Sequence, residues 1–284
     1  MTAVPLSHLL RTLAPRVFSP SSANISANIS TGTSAPISTV AGTDTNTPSS
    51  TASNPPSARN TNASAALRAV EVTRHFDSAG TRLEVLRGVT LELYPQQVVA
   101  ILGPSGSGKS TLLHLLAGLD RVSTGEIYWG EQAISTAPQN QLAKQRTHYL
   151  GLVFQQHYLL DELNVLDNIT LPGRIHGRND EARGWQLLEH VGLQARAHFY
   201  PKTLSGGEKQ RVAVARALYA KPAVILADEP TGSLDRHSAR NVYALLVDLA
   251  RHEGSAVVMV THDEGLVQDV DARFHLHDGR LQPA

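Results

Sequence analysis

Ordered hydrophobic patterning begins near Leu67. From there LRAVEVTRHF and EVLRGVTLELYP alternate apolar and polar positions, with Val89, Leu91 and Leu93 set against Thr90 and Glu92. A period of two marks strands with one buried face. GEIYWGE at 125–131 repeats it, so these segments predict a small antiparallel sheet. VVAIL (98–102), AVILA (223–227) and AVVMV (256–260) are instead continuous apolar runs. Strands covered on both faces read this way, as in a parallel sheet between helices. Polar residues follow each run, at the strand ends where such sheets place their sites. DEARGWQLLEHVGL at 180–193 spaces Ala182, Trp185, Leu188 and Val191 as one helix face. The pattern predicts an α/β protein with a parallel core, an antiparallel β portion and a helical insertion over about 158–220.

Composition separates a different segment. Residues 19–65 are almost wholly Ser, Thr, Asn, Ala, Pro and Gly, with a near-repeat SANISANIS. Such a stretch buries too little apolar surface to offset its ordering entropy, so 1–65 is expected to be a disordered extension. Its start, MTAVPLSHLLRTLAPRVF, carries Arg11 and Arg16, and no acidic residue precedes Asp44. That loosely resembles a targeting peptide, although composition alone favours a dispensable extension or a start codon assigned too early. The formal net charge of the 284 residues is zero, which gives no general nucleic-acid footprint. With no cysteine, disulfide scaffolds, thiolate zinc sites and thiol nucleophiles are excluded. No apolar run approaches the roughly 20 residues of a spanning helix, so any action at a membrane needs a partner.

VVAILGPSGSGKSTLLHLLAGL is a strand, a Gly-rich loop and a helix in the order of a Walker A site. Gly103, Gly106 and Gly108 let the backbone curl until successive N–H groups point inward, where the positive end of the helix adds to them. Pro104, Ser105, Ser107 and Thr111 complete the cradle. Lys109 is placed to reach the β- and γ-phosphates, and the Ser110 hydroxyl to ligate Mg²⁺. VILADEP supplies Asp228, suited to holding Mg²⁺, and Glu229, suited to general-base work on an attacking water. In GLVFQQHYLL, Gln155 follows another apolar run and offers a neutral amide to Mg²⁺ and water. His262 lies beyond the last apolar run, where an imidazole can bond a γ-phosphate. Phe76 offers a face for adenine to stack on. A second anion-binding turn stands far downstream in LSGGEKQRVAVARAL at 204–218, and one nucleotide has no use for two.

Together these motifs resemble the nucleotide-binding subunit of ATP-binding-cassette (ABC) transporters, over about Leu67 to Gln282. The resemblance runs in order through Phe76 of the A-loop, the Walker A loop, Gln155 of the Q-loop, the signature LSGGE, Walker B with Glu229, the D-loop GSLD at 232–235 and His262 of the H-loop. It implies the P-loop NTPase fold, ATP and Mg²⁺ as ligands, and ATP hydrolysis. It also implies a head-to-tail dimer with two ATP molecules between the copies. Ser205, Gly206 and Gly207 of one copy would cap the γ-phosphate held by the other, at a helix beginning near Glu208, with Asp235 at the same seam.

GLDRVSTGEI, VFQQHYLLDELNVLDNITLP and ILADEPTGSLD are most similar to the group of lipoprotein-releasing, macrolide-export and cell-division ATPases. Such subunits bind a separate integral membrane permease, here at the cytoplasmic face of the inner membrane, and no nucleic-acid partner is implied. Transport and cell-wall regulation are not separable from these residues. Phe76 replaces the commoner Tyr, Gln96-Gln97 replaces Gly-Glu, and Glu208 replaces Gln. Tyr158, Leu159 and Leu160, shortly after Gln155, read either as core or as an exposed groove for a permease helix.

Overall fold

The computed structural model describes residues 64–78, 81–267 and 269–284, all within one compact unit, Ala58–Ala284. The extension predicted over 1–65 lies, apart from Ser64 and Ala65, outside the described residues.

The alternating segments form the predicted antiparallel sheet. Strands β1 (Leu67–Ser78) and β2 (Thr81–Leu93) pair from Leu67 opposite Leu93 to Phe76 opposite Leu83. β4 (Thr124–Trp129) and the short β5 (Gln132–Ala133) extend it in the order β2-β1-β4-β5. The continuous apolar runs become β3 (Val98–Leu102), β7 (Val224–Asp228) and β8 (Ala256–Thr261). With β6 (Leu150–Phe154), β9 (Ala272–His277) and β10 (Arg280–Pro283) they make a sheet ordered β10-β9-β3-β8-β7-β6, parallel except for β10.

Why these runs have no polar position is visible in the packing. Successive strand residues face opposite sides. Val99, Ile101, Val224, Leu226, Val258 and Val260 face a core shared with the antiparallel sheet and helix α1 (Lys109–Leu116). Their neighbours Val98, Ala100, Ile225, Ala227, Val257 and Met259 face a second core against the other helices. That second layer contains α3 (Val165–Ile175), α4 (Glu181–His190), α5 (Gly206–Leu218) and α6 (Arg236–His252). The helical insertion predicted over about 158–220 thus consists of α3, α4 and α5 with two short 3₁₀ turns.

Two sequence expectations are corrected. The α4 face predicted from Ala182, Trp185, Leu188 and Val191 is right in part: Leu188 and Val191 are buried, but Ala182 and Trp185 are exposed, and Arg183, Gly184 and Leu187 point inward in their place. The reason is long-range. Arg183 donates to Leu218 O at 3.3 Å and pairs with Glu253 at 2.8 Å, so a charged residue lies on the core side. Gly184 is there because a Cβ would fall 2.6 Å from Thr170 Cγ2. The signature helix also begins at Gly206 rather than near Glu208, because Ser205 caps it.

Two further elements went unforeseen. Helix α2 (Gln139–Tyr149) buries only Leu142, so it shows no apolar stripe. The β9–β10 hairpin turns at Asp278 (φ 45°) and Gly279 (φ 73°), and an Asp-Gly pair between alternating residues is a hairpin signal. The unusual Gln96-Gln97 also has a structural consequence. Pro95 and Gln96 occupy the middle of the turn closed by Gln97 N to Tyr94 O at 3.1 Å, and Gln96 takes φ 63° where glycine fits without strain.

Candidate nucleotide site

The register brings the ends of four strands level. Leu102 lies beside Thr261, and Asp228 lies between Val260 and Phe154. The next residues, Gly103, His262, Glu229 and Gln155, therefore emerge along one edge of the sheet. This is the carboxyl-end edge where open α/β sheets bind ligands.

The Gly-rich loop leaves β3 under tight constraint. A Cβ on Gly103 would sit 2.5 Å from Leu276 O of β9. Gly108 adopts φ 99° as the N-cap of α1, a conformation that costs other residues about 1–2 kcal/mol. Pro104 and Ser105 are exposed at the tip, and Ser110 and Thr111 follow in the first turn. Ser107 Oγ is buried with no partner among the described residues. Lys109 is 7% exposed, and its ammonium donates to Gly103 O at 2.8 Å and Pro104 O at 3.0 Å. An orphaned hydroxyl and a cation resting on its own loop suit an anionic group entering this cradle.

Beside it, Ser110 Oγ donates to Asp228 Oδ1 at 3.1 Å. Burial pushes the Asp228 carboxyl up, against the lowering effect of that hydrogen bond. Ser110 and Asp228 are hard oxygen donors, and burial outweighs the Ser110 hydrogen bond and the positive charge of His114 and Lys109, so the carboxylate is left short of compensating charge. Both features fit Mg²⁺, which typically takes one or two carboxylates and leaves other positions to phosphate and water. Gln155 is exposed nearby, close enough that a Cβ on Gly232 would meet its amide nitrogen at 3.0 Å.

Glu229 stands at φ 45°, an uncommon conformation for a residue with a side chain. Its amide donates to Val260 O at 2.9 Å. Three groups orient its carboxylate: Thr261 Oγ1 at 3.2 Å, His262 N at 3.4 Å and His262 Nδ1 at 2.9 Å. Lys109 Nζ lies 3.9 Å away. Thus Lys109, Ser110, Asp228, Glu229 and His262 share one neighbourhood. Thr261 was missed in the sequence, where a Thr closing an apolar run carries no signal.

The other predicted residues lie elsewhere on the fold. Phe76 is exposed on the β1–β2 hairpin with the Arg74 guanidinium 4.3 Å over its ring. Its partner Leu83 is two residues from Val85, whose Cγ1 lies 3.1 Å from a Cβ built on Gly108. Asp235 is an N-cap, accepting from His237 N and Ser238 N at 3.0 Å. Ser205 caps α5 in a reciprocal box with Glu208. Among the described residues, no hydrogen bond or ion pair joins Ser205, Gly206 or Gly207 to the Gly-rich loop. Their contacts are with the start of α6: Leu234 Cδ2 is 3.3 Å from a Cβ on Gly206, and Ser238 Cβ is 3.7 Å from one on Gly207.

Helix α5 also grips the Q-loop, through residues with no sequence signal. Gln210 Nε2 donates to Phe154 O at 3.1 Å. Arg216 donates to His157 O at 2.7 Å and Tyr158 O at 2.6 Å, and burial lowers its pKa to about 10, which still leaves it charged. His157 Nε2 lies 3.1 Å from Gly206 O. Tyr158 is exposed and stacks edge-on against Phe154, whereas Leu159 packs against the core. The three apolar residues after Gln155 therefore do not form one exposed groove.

A Gly-rich loop feeding a helix N-terminus, with Asp and Glu at the end of a strand one removed in the same parallel sheet, defines a P-loop nucleotide-binding protein. The ABC transporter family profile matches residues 86–232, and the chain belongs to that family. The lipoprotein-releasing system ATP-binding protein LolD of Bordetella pertussis is 45% identical over 221 residues, covering 77% of this chain and 96% of the relative. LolD of Acinetobacter baylyi is 43% identical over 217 residues, covering 75% and 95%. Among solved structures, the dimeric post-hydrolysis state of the ATP-binding cassette MJ0796, bound to ADP and Pi, superposes with a TM-score of 0.70. It is 34% identical and covers 76% of this chain and 96% of that one. This chain is an ATP-binding ATPase subunit of an ABC transporter.

The raised Asp228 carboxyl sets a stability test. A folded-state pKa above the unfolded value means that ionisation is penalised in the native state. The penalty grows as pH rises from the unfolded pKa through the folded one, and is full above it. Asp228→Asn is therefore expected to raise the melting temperature of the nucleotide-free, metal-free protein at neutral pH. The gain should fade on acidification, while turnover is lost. Thermal melts across pH check this, and a destabilised Asn variant at neutral pH would contradict it.

Proposed function

We propose that the segment 66–284 hydrolyses ATP at two sites shared between two copies, and that dimer closure and opening drive a separate membrane permease in lipoprotein release. The observation that carries this reading is the position of the signature turn. Its amides lie ahead of the first intrahelical bond of α5, Lys209 N to Ser205 O, yet no bond joins them to the chain's own Gly-rich loop. A second copy would supply the missing half. Solved relatives that are dimeric cassettes support the arrangement, and the LolD relatives, lipoprotein-releasing ATP-binding proteins, support the lipoprotein cargo.

In this reading Phe76 stacks on adenine. The amides of the 103–108 loop and Lys109 hold the β- and γ-phosphates. Ser110, Gln155 and Asp228 hold Mg²⁺, which when bound neutralises charge on the phosphate oxygens. Glu229, oriented by Thr261 and His262, accepts a proton from the water attacking the γ-phosphorus. His262 then bonds the γ-phosphate from Nε2, because Nδ1 faces Glu229. Ser205, Gly206 and Gly207 close over the γ-phosphate held by the other copy, with Asp235 at the seam. No helix among the described residues is long and apolar enough to cross a membrane, so the permease provides attachment at the cytoplasmic face of the inner membrane. Tyr158, exposed beside Gln155 and held through its carbonyl by Arg216, is placed to report permease movement to the signature helix.

Glu229→Gln keeps the side-chain shape and loses the basicity. Hydrolysis is expected to fall by roughly a hundredfold or more while ATP binding persists. Size-exclusion chromatography should then show a dimer with ATP and a monomer without it. A variant that binds ATP and stays monomeric would contradict the shared site. The cargo is tested separately: in cells depleted of this chain, lipoproteins destined for the outer membrane should remain in the inner membrane. Normal distribution on membrane fractionation would contradict lipoprotein release.

A further inference from the structure

We infer that Glu208 is a built-in brake on dimer closure: its carboxylate occupies an amide of the signature turn and opposes the anion that must dock there. The inference rests on the shared-site reading above and concerns one residue of that site.

A helix start leaves its first amides without intrahelical partners. In α5 the first intrahelical bond is Lys209 N to Ser205 O at 2.9 Å. Glu208 N is taken by Ser205 Oγ at 3.3 Å, and Ser205 N by Glu208 Oε2 at 2.8 Å. Gly206 and Gly207 therefore keep the turn's free donors, whereas Ser205 N–H is already satisfied. The carboxylate is ionised, held below the usual range first by that backbone N–H and then by the Ser205 side chain, Arg196 and Arg211, against the effect of burial. Arg196 Nε at 3.5 Å offsets only part of the charge, being a half-exposed partner at long range.

This carboxylate has two effects of opposite sign. In the isolated subunit it stabilises α5, because negative charge at a helix N-terminus is favourable. In the closed dimer it stands against a γ-phosphate on the same turn and competes for the same positive pole. A glutamine at this position keeps an oxygen to accept from Ser205 N–H, so it preserves the box while removing the charge. A merely structural cap predicts that removing the charge weakens folding and closure together. The brake predicts that folding weakens slightly and closure tightens.

The experiment compares Glu208→Gln with intact Glu208, both in the slowly hydrolysing Glu229→Gln background, by sedimentation velocity over a range of Mg·ATP. Melting temperatures are taken without nucleotide. Glu208→Gln is expected to lower the ATP concentration for half-dimerisation by about fivefold, the size of one charge at a helix terminus. The melting temperature should fall slightly, and the dimerisation gain should shrink between about 50 and about 500 mM salt. An unchanged or raised ATP requirement would overturn the brake. If the parent with intact Glu208 fails to dimerise at saturating ATP, the shared-site reading falls first and the brake falls with it.

Discussion

An α-helix begins with amides that nothing inside the helix can bond, and this chain has two such starts with the form of anion sites. At α1 the constraint is met by glycines: a Cβ on Gly103 would fall 2.5 Å from a backbone oxygen, and Gly108 takes a left-handed conformation. At α5 it is met by a Ser cap followed by two glycines. The first start lies on the parallel core beside Asp228 and Glu229. The second lies on the helical layer, against the start of α6. Among the described residues no bond joins the two within the chain, and the proposal of a site shared between two copies starts from that separation.

The helical layer is not independent of the catalytic edge. Gln210, Arg216 and His157 tie α5 to the backbone of 154–158, on either side of Gln155. A shift of Gln155 towards a metal and γ-phosphate would therefore be felt at Gly206 through hydrogen bonds rather than through loosely packed side chains. Glu229 is under a comparable constraint, since its φ of 45° is sustained by the hydrogen bond its N–H donates to Val260 O and by three groups on its carboxylate. Under the shared-site proposal, hydrolysis chemistry and dimer closure would meet in a small set of backbone-anchored contacts.

Much of this was legible in the sequence because the physics is local. Strands buried on both faces must be apolar throughout, so β3, β7 and β8 were evident, and the phosphate loop follows from its glycine spacing. What was hidden depends on distant partners. Arg183 faces inward only because Glu253 and Leu218 O receive it, so the start of α4 buries Arg183 and Gly184 instead of Ala182 and Trp185, while Leu188 and Val191 are buried as the pattern predicts. Helix α2 buries a single leucine and so left no stripe. The Arg216 clasp joins residues nearly sixty positions apart and has no sequence signature. Glu208 stands in the sequence only as a replacement for Gln in the signature, and the geometry alone shows its carboxylate on the Ser205 amide.

The account stands on composite sites, and complementation between two inert variants tests them most directly. Lys109→Ala removes the phosphate cation of one half-site, and Ser205→Arg fills the other half with a bulky side chain. In a mixed dimer one composite site carries both lesions and the other carries none. Each variant is predicted to be inactive alone, with ATP hydrolysis appearing on mixing. Ser205→Arg subunits that hydrolyse ATP at the unsubstituted rate by themselves would contradict the account.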